Sequence, residues 1–505
     1  MKLSYKKTVL VGFAFFLICA FWQAYDSIIP KILTDKFGLT QSMSGLIMGL
    51  DNILALFMLP LFGAISDRTK TRYGKRTPYI FIGTVLAVVF FLLLGVSDLV
   101  QLKQLDEITM DNPTALQTLY DADLTVTTPD GETVEISKEF TKTEFTEIEK
   151  GSEDYAKYVT PARQMFARQK TLDNPKPFIF FMAILLLLLI SMAIFRSPAV
   201  ALMPDVTLKP LRSKANAIIN LMGSVGGILV LVLGIVFGTG KLDNSLMSYL
   251  LFFACIALIM TAALVVFALT VREPKWSEEM LTESAQLGIE TTDDKPENGD
   301  RKLQKGERTS LLLLLLSVIL WFMGYNAVTS KYSVYAGSVL NLDFNMTLII
   351  AQAAAIISYL PVGFIASKVG RKSCILFGII IMGLSFFAAS FLRMGTSMWV
   401  MTIFFALAGI GWATINVNSF PMVVELATGS NVGRYTGFYY TASMFAQTVT
   451  PYFSGLIMDR WGMRTLFPYG AIFVLLALLS MQGVRHGDNR PTAKQVVLDA
   501  FEVED

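Results

Sequence analysis

The chain alternates long apolar runs with short polar breaks, and the length of the runs decides which element they predict. A helix of about 20 apolar residues crosses the ~30 Å hydrocarbon layer of a bilayer. Twelve runs reach that length: 8–33, 44–66, 78–97, 178–207, 214–238, 247–271, 311–333, 344–366, 372–392, 397–421, 434–456 and 465–484. The pattern predicts an all-α membrane protein of twelve spans. The first run follows Lys2, Lys6 and Lys7, as a signal-peptide core would. It is longer than such a core, lacks a small-residue cleavage site and carries Trp22, Gln23 and Asp26, so it is expected to remain attached as a span.

Two stretches interrupt the pattern. Residues 98–177 hold 16 acidic and 9 basic side chains. Within them TVTTPDGETVEI reads as a hairpin, because Pro-Asp-Gly between β-branched runs has turn chemistry. Either a small folded cap or a solvated spacer fits this insertion. Residues 272–310 separate the first six runs from the last six, and TTDDKPENGDRK there lacks apolar residues, which predicts disorder. The organisation is thus helices 1–3 in 1–97, the insertion in 98–177, helices 4–6 in 178–271, the linker in 272–310, helices 7–12 in 311–484 and a tail in 485–505.

Charge orients the spans, since Lys and Arg gather in short cytoplasmic loops. With the N-terminus inside, SDRTKTRYGKRTP (66–78), Lys209, Arg212, Lys214, Lys368, Arg371 and Lys372 all face the cytoplasm. Lys31, Lys36, Arg393, Arg460 and Arg464 fall outside and are fewer. Both termini are therefore expected in the cytoplasm, the insertion outside, and the protein in the cell membrane. Composition agrees: 53% of residues are apolar and 16% charged, a shift toward lipid from the soluble average. A net charge of +2 gives no reason to expect nucleic acid. Cys19, Cys255 and Cys374 lie in or beside spans and imply no disulfide framework.

The chain also repeats itself. LPLFGAISDRTKTRYGKR (59–76) follows the second run and LPVGFIASKVGRKS (360–373) the eighth, each giving Leu-Pro, Gly, a small or polar residue, a cation, and Gly before two cations. Two six-span halves in parallel repeat are a transporter architecture. The pattern Gly63-x-x-x-Asp67-Arg68 followed by Tyr73-Gly74-Lys75-Arg76-Thr77-Pro78 resembles the loop signature of the major facilitator superfamily. Its extended form, with RSPAVALMPDVT (196–207) and PLRSKANAIINLMGSVGG (210–227), resembles the sucrose-type and glycoside-pentoside-hexuronide cation symporter branch. The insertion is not part of that resemblance.

The resemblance implies two pseudo-symmetric six-helix bundles rocking about a central site. It implies a cytoplasmic gate made by Gly63, Asp67, Arg68, Gly74, Lys75, Arg76 and Arg434, with Asp67 against the start of the eleventh helix near Arg434. There a carboxylate would meet both a positive helix end and a cation. This chain also departs from the branch. The second-helix aspartates that bind the cation in melibiose-type symporters align with Ala55 and Leu59, which argues for a proton over sodium. The fourth-helix Arg of sucrose symporters aligns with Val200, with Arg196 one turn earlier, and an acidic residue of that helix with Leu189.

An ionisable residue inside a span costs at least about 2.5–3.5 kcal/mol, so each is a functional candidate. The few that stand out within the runs are Asp26, Asp51, Arg196 and, near an outer end, Lys331. At about 1.5 Å of rise per residue, Asp26 and Asp51 share a level outside the mid-plane, whereas Arg196 stands roughly 15 Å lower than Asp26, too far for a direct pair unless a water or solute hydroxyl bridges it or helix breaks near Pro30 and Pro198 shift the heights. Two carboxylates that can pass between charged and protonated forms suit proton coupling, and Asp26 or Asp51 is the expected carrier. The competing reading is a cap, a kink or an outer vestibule. His486, the only histidine, lies beyond the last run, so no imidazole relay crosses the membrane.

Sugars need aromatic faces for their rings and amides or charges for their hydroxyls. Trp321, Tyr325, Asn326, Gln352, Trp412, Asn416, Tyr439, Tyr440 and Gln447 supply these within spans, although Trp321, Tyr325 and Trp412 fit interhelical packing equally well. Glycines in GLIMG (45–49) and GSVGG (223–227) read as helix-packing surfaces. The expected function is proton-coupled symport of a sugar, a disaccharide or other glycoside, across the lipid bilayer. Alternatives are an exporter of an amphiphilic or lipid-like solute, which the 24 Met would suit, or a sensor that uses the insertion. With no HExxH, GxSxG or phosphate-binding Gly-Lys-Ser/Thr loop, neither an enzyme nor a nucleotide-driven pump is expected, and no cofactor or metal is implied.

Overall fold

Each apolar run becomes a long helix in the computed structural model, which describes residues 3–487 except 110, 111, 113, 209, 210, 287–303, 425 and 427–431. The first half holds α1 (Tyr5–Lys31), α2 (Leu50–Arg68), α3 (Thr77–Gln104), α4 (Lys176–Val206), α5 (Arg212–Phe237) and α6 (Leu250–Thr270). The second holds α7 (Lys305–Tyr335), α8 (Phe344–Val369), α9 (Arg371–Ala389), α10 (Met398–Val424), α11 (Val432–Trp461) and α12 (Leu466–Gln482). Among the described residues, ten helices are long and apolar enough to cross a membrane. The helices α8 and α11 have comparable length and stand where the eighth and eleventh runs were expected.

The departures from the expected boundaries have local causes. α3 runs past residue 97 because Ser97, Asp98 and Gln101, which ended the apolar run, are buried. Asp98 pairs with the buried Lys36, and Gln101 donates to the Lys36 carbonyl at 2.7 Å. α2 starts only after a break at Gly49, behind a short helix, Gln41–Met48, capped by Thr40. In the linker, Glu273–Gln286 is helical where the apolar pattern gave no element, with Trp276 buried. Lys7 bonds Glu279 on its exposed side and holds that carboxyl below its ordinary range. The stretch TTDDKPENGDRK, expected to be disordered, lies outside the described residues.

The two halves pack alike. In the first, α1 packs on α5 and α6, α4 on α2 and α3, and α3 on α6; in the second, α7 packs on α11 and α12, α10 on α8 and α9, and α9 on α12. Each half has its own buried apolar core. Even an irregularity is shared: α1 ends in a π-helical turn, Ile32–Lys36, and α7 in another, Ala336–Leu340. The glycine runs serve packing, as read from the sequence: a Cβ on Gly45 would run into the Pro451 carbonyl, and one on Gly223 into Cys19.

The halves meet along α1 and α7, α5 and α8, and where α11 packs on α2 and on Gln41–Met48. At the end that carries the insertion they are clasped. Asp459 of α11 accepts from the Gln41 and Ser42 amides at 2.7 and 2.8 Å, capping the start of the short helix. Lys331 of α7, fully buried, donates to the Gln41 carbonyl at 2.5 Å.

The insertion contains the expected hairpin, β1 (Thr125–Thr127) and β2 (Thr133–Glu135), antiparallel with Val126 opposite Val134. Short helices surround it, and its buried side chains, among them Leu119, Val126, Ile136 and Phe145, form a cluster completed by Leu242 and Leu246 from the α5–α6 loop.

Candidate functional site

Between the halves, at mid-height, lies a cavity of about 550 Å³ with walls from α1, α4, α5, α7, α8, α10 and α11. A smaller space of about 210 Å³ adjoins it toward the insertion end, and one of about 610 Å³ toward the linker end. Arg196 and Gln447 line all three spaces.

Asp26, Asp51 and Arg196 come together here. All three line the 210 Å³ space together with Asn52, which donates to the Asp51 carboxylate at 2.8 Å. Asp51 is placed by the Gly49 break, which starts α2 afresh and leaves this side chain in its first turn. The guanidinium of Arg196 lies 5.4 Å from the Trp22 ring centroid. Among the described residues Arg196 makes no ion pair with Asp26 or Asp51; the three share the lining of one space.

The aromatic and amide candidates divide. Tyr325 and Trp412 stack at 3.8 Å with ring planes 4° apart, both facing the central cavity. Asn326, Gln352 and Gln447 line the same cavity, and Asn416, Tyr439 and Tyr440 line the space toward the linker end. Gln352 donates to Gln23 of α1 at 2.6 Å, and Gln23 donates to Ser27 at 3.0 Å. Tyr439 is held by a 3.0 Å hydroxyl contact with Ser419. Trp321 is the exception, fully buried in the second core and lining none of these spaces. The wet face of α7 is Phe322, Tyr325, Asn326 and Thr329. Its centre lies about a quarter turn around the helix from Trp321.

The residues of the loop motif form a charge network at the linker end. Arg76 pairs with Asp67, donates to Ser66 and bonds Asp205 of α4 at 2.8 Å, while Lys75 reaches Asp205 at 3.1 Å. A Cβ on Gly63 would sit 2.9 Å from the Ser197 hydroxyl, so this glycine lets α2 approach α4. Arg68 is exposed. The side chain of Arg434, the expected neighbour of Asp67, lies outside the described residues.

The linker supplies a member that the motif does not contain. Glu273, buried at 2% exposure, accepts from the amides of Lys75, Arg76 and Thr77 at 2.7, 2.9 and 2.7 Å and from the Thr77 hydroxyl at 2.7 Å. Its carboxylate thus caps the positive end of α3. Gly74, at φ +111°, makes room for it, because a Cβ there would overlap the carboxylate. Sequence reasoning passed over Glu273 and Asp205, whose one available signal was an acid at each end of an otherwise cationic set of loops, and over Gln23, whose signal was an amide inside an apolar run. Among the described residues, no group of three or more His, Cys, Asp or Glu is placed to hold a metal.

A family model described as "Major Facilitator Superfamily" matches residues 166–360 and 343–498, and one described as "MFS/sugar transport protein" matches residues 10–99. The chain is 34% identical over 68 residues to a putative glycoside/cation symporter, YagG, of Escherichia coli strain K12, a match spanning 13% of this chain and 15% of that one. The inward-open conformation of the xylose transporter XylE from E. coli superposes with a TM-score of 0.59 at 16% identity, covering 97% of this chain and 99% of the other. A bacterial homolog of the human lysosomal transporter Spinster, inward-facing and occupied, gives 0.61 at 12% identity, covering 97% and 100%. At these identities the superpositions establish the fold.

Proposed function

Since this chain belongs to the major facilitator superfamily, a family of membrane transporters rather than enzymes, we propose that it couples the movement of a sugar, a disaccharide or other glycoside, to that of a proton. On this reading all twelve long helices span the cell membrane, with both termini in the cytoplasm and the insertion outside. The packing of α8 and α11 supports counting them as spans, because it mirrors that of α2 and α5.

The observation that carries the reading is the grouping of Asp26, Asp51 and Arg196 around a space that shares lining residues with the cavity of the Tyr325–Trp412 stack. Two carboxylates and one guanidinium around one space leave one negative charge uncompensated in a partly dry site, and a proton taken up by either carboxylate removes it. The stacked rings offer a flat apolar face for a pyranose, and Gln23, Asn326, Gln352 and Gln447 offer amides for its hydroxyls. Because Gln23 and Gln352 belong to different halves, a solute that bonds both amides links its own binding to the rocking of the halves. The similarity to a protein described as a putative glycoside/cation symporter supports the same solute class.

The test is uptake into proteoliposomes with an imposed pH gradient, across a panel of labelled disaccharides and glycosides. Gradient-driven accumulation that is lost in Asp26→Asn or Asp51→Asn is the expected result. Accumulation indifferent to the gradient and to both substitutions would refute the coupling.

A further inference from the structure

The insertion grows from one half and grips the other. To the first half it is joined through α3 and α4, and the join is broad. Gln164 donates to Asp35 at 2.9 Å, Gln101 of α3 donates to Thr171 at 3.3 Å, and Leu242 and Leu246 of the α5–α6 loop complete its core. These contacts make the insertion part of that half.

Its contacts with the second half fall on three loops, α7–α8, α9–α10 and α11–α12, all at the insertion end. At the first, Asn341 Nδ2 donates to the Gly151 carbonyl at 3.0 Å. At the second, Met394 packs against the insertion's core. At the third, the hairpin turn docks: the Met463 amide donates to the Pro129 carbonyl at 2.8 Å, and Arg464 Nε lies 2.6 Å from Asp130 Oδ1. That last contact is a charge pairing, since the N–H is not aimed along it.

The surfaces in contact are shaped for each other. Gly131, Gly151, Gly462 and Asn341 all have positive φ, at 87°, 77°, 89° and 52°. A Cβ on Gly462 would sit 2.6 Å from the Asp130 carbonyl carbon, and one on Gly131 would sit 3.0 Å from the Gly462 nitrogen. Two turns that both need glycine at the same meeting point are built for backbone-to-backbone contact.

We propose that the insertion is a strap on the insertion-end gate. It travels with the first half, and its hairpin turn and Gly151 hold the loops of the second half, so that the cleft at this end opens only when these contacts release. The grip lies beside the clasp of Gln41, Asp459 and Lys331, where two halves rocking about a mid-height site separate most. The strap therefore biases the protein toward the form closed at the insertion end, and weakening it shifts that balance. The inference rests on the rocking of the halves and not on the solute or the coupling ion.

The experiment measures the halves directly. In full-length protein with Cys19, Cys255 and Cys374 replaced by Ser, spin labels are placed on the exposed Lys241→Cys and Ser397→Cys, one on each half, and their distance distribution is read by pulsed electron resonance in lipid nanodiscs. Asp130→Arg, which sets like charges face to face, is expected to raise the longer-distance population by about twofold to fivefold, the range of a partly exposed ion pair. Arg464→Ala is expected to raise it in the same direction. The charge swap Asp130→Arg with Arg464→Asp is expected to return it to the starting distribution, which a merely structural disturbance would not do. Unchanged distributions in Asp130→Arg and Arg464→Ala, or a swap that does not restore, would overturn the strap. Failure of pH-driven uptake with the distances shifting as expected would refute symport and leave the strap standing.

Discussion

Gln352 on α8 donates a 2.6 Å hydrogen bond to the side-chain oxygen of Gln23 on α1, joining the two halves inside the cavity that separates them. An amide left unpaired in partly dry surroundings costs about 1–3 kcal/mol. If the solute takes over this bridge when it binds, Gln352→Ala removes one of its anchors and leaves Gln23 without its donor. The apparent affinity in concentration-dependent uptake is expected to fall by about 5- to 150-fold. An unchanged half-saturation concentration would show that the bridge is not where the solute sits.

Glu273 and Gly74 are expected to act as one unit. Losing a side chain that satisfies helix-start amides costs roughly 1–2 kcal/mol, and Gly74→Ala would expel the same carboxylate by overlap. Each substitution should lower the unfolding temperature in detergent. The double variant should be little worse than either alone, because the second change removes a contact already lost. Additive losses would mean that Gly74 matters only for its own backbone.

Lys36 and Asp98 form a fully buried pair, each with a further backbone partner: Lys36 donates to the Met247 carbonyl at 2.6 Å, and Asp98 accepts from the Tyr249 amide at 2.9 Å. Breaking such a pair from one side strands the other charge, at a cost of about 3–5 kcal/mol, whereas replacing both by apolar residues is often neutral. Asp98→Asn is therefore expected to cut the yield of folded protein sharply, and Lys36→Met with Asp98→Leu to recover much of it. Size-exclusion yield and thermal scanning decide between this outcome and a pair that contributes nothing.

The Tyr325–Trp412 stack predicts a chemical preference. Trp412→Ala should abolish uptake of pyranosides while Trp412→Phe keeps a reduced rate, since the smaller ring preserves a face and loses area. Equal uptake by both variants would assign the stack to packing alone.

The helices were legible because membrane spans announce themselves as uninterrupted apolar runs. Polar residues inside those runs, such as Asp26, Asn326, Gln352 and Gln447, stood out for the same reason. What the sequence hid were partnerships between distant positions. Ser97, Asp98 and Gln101 read as the end of α3 because nothing near them in sequence is their partner; Lys36, some sixty residues earlier, is. Glu273 read as one more linker charge because its partners are backbone amides, which leave no trace in composition. Trp321 stayed open in the sequence between cavity and packing because residue position gives depth and not facing; its burial in the second core decides for packing.

The central claim is that a carboxylate beside Arg196 carries the proton that moves with the solute. The direct measurement is simultaneous recording of solute uptake and internal pH in the same proteoliposomes, driven by a solute gradient alone. The wild-type protein is expected to move protons inward in fixed proportion to the solute, and Asp26→Asn to sever that proportion while solute exchange continues. Solute entering wild-type vesicles with no accompanying acidification would contradict the account.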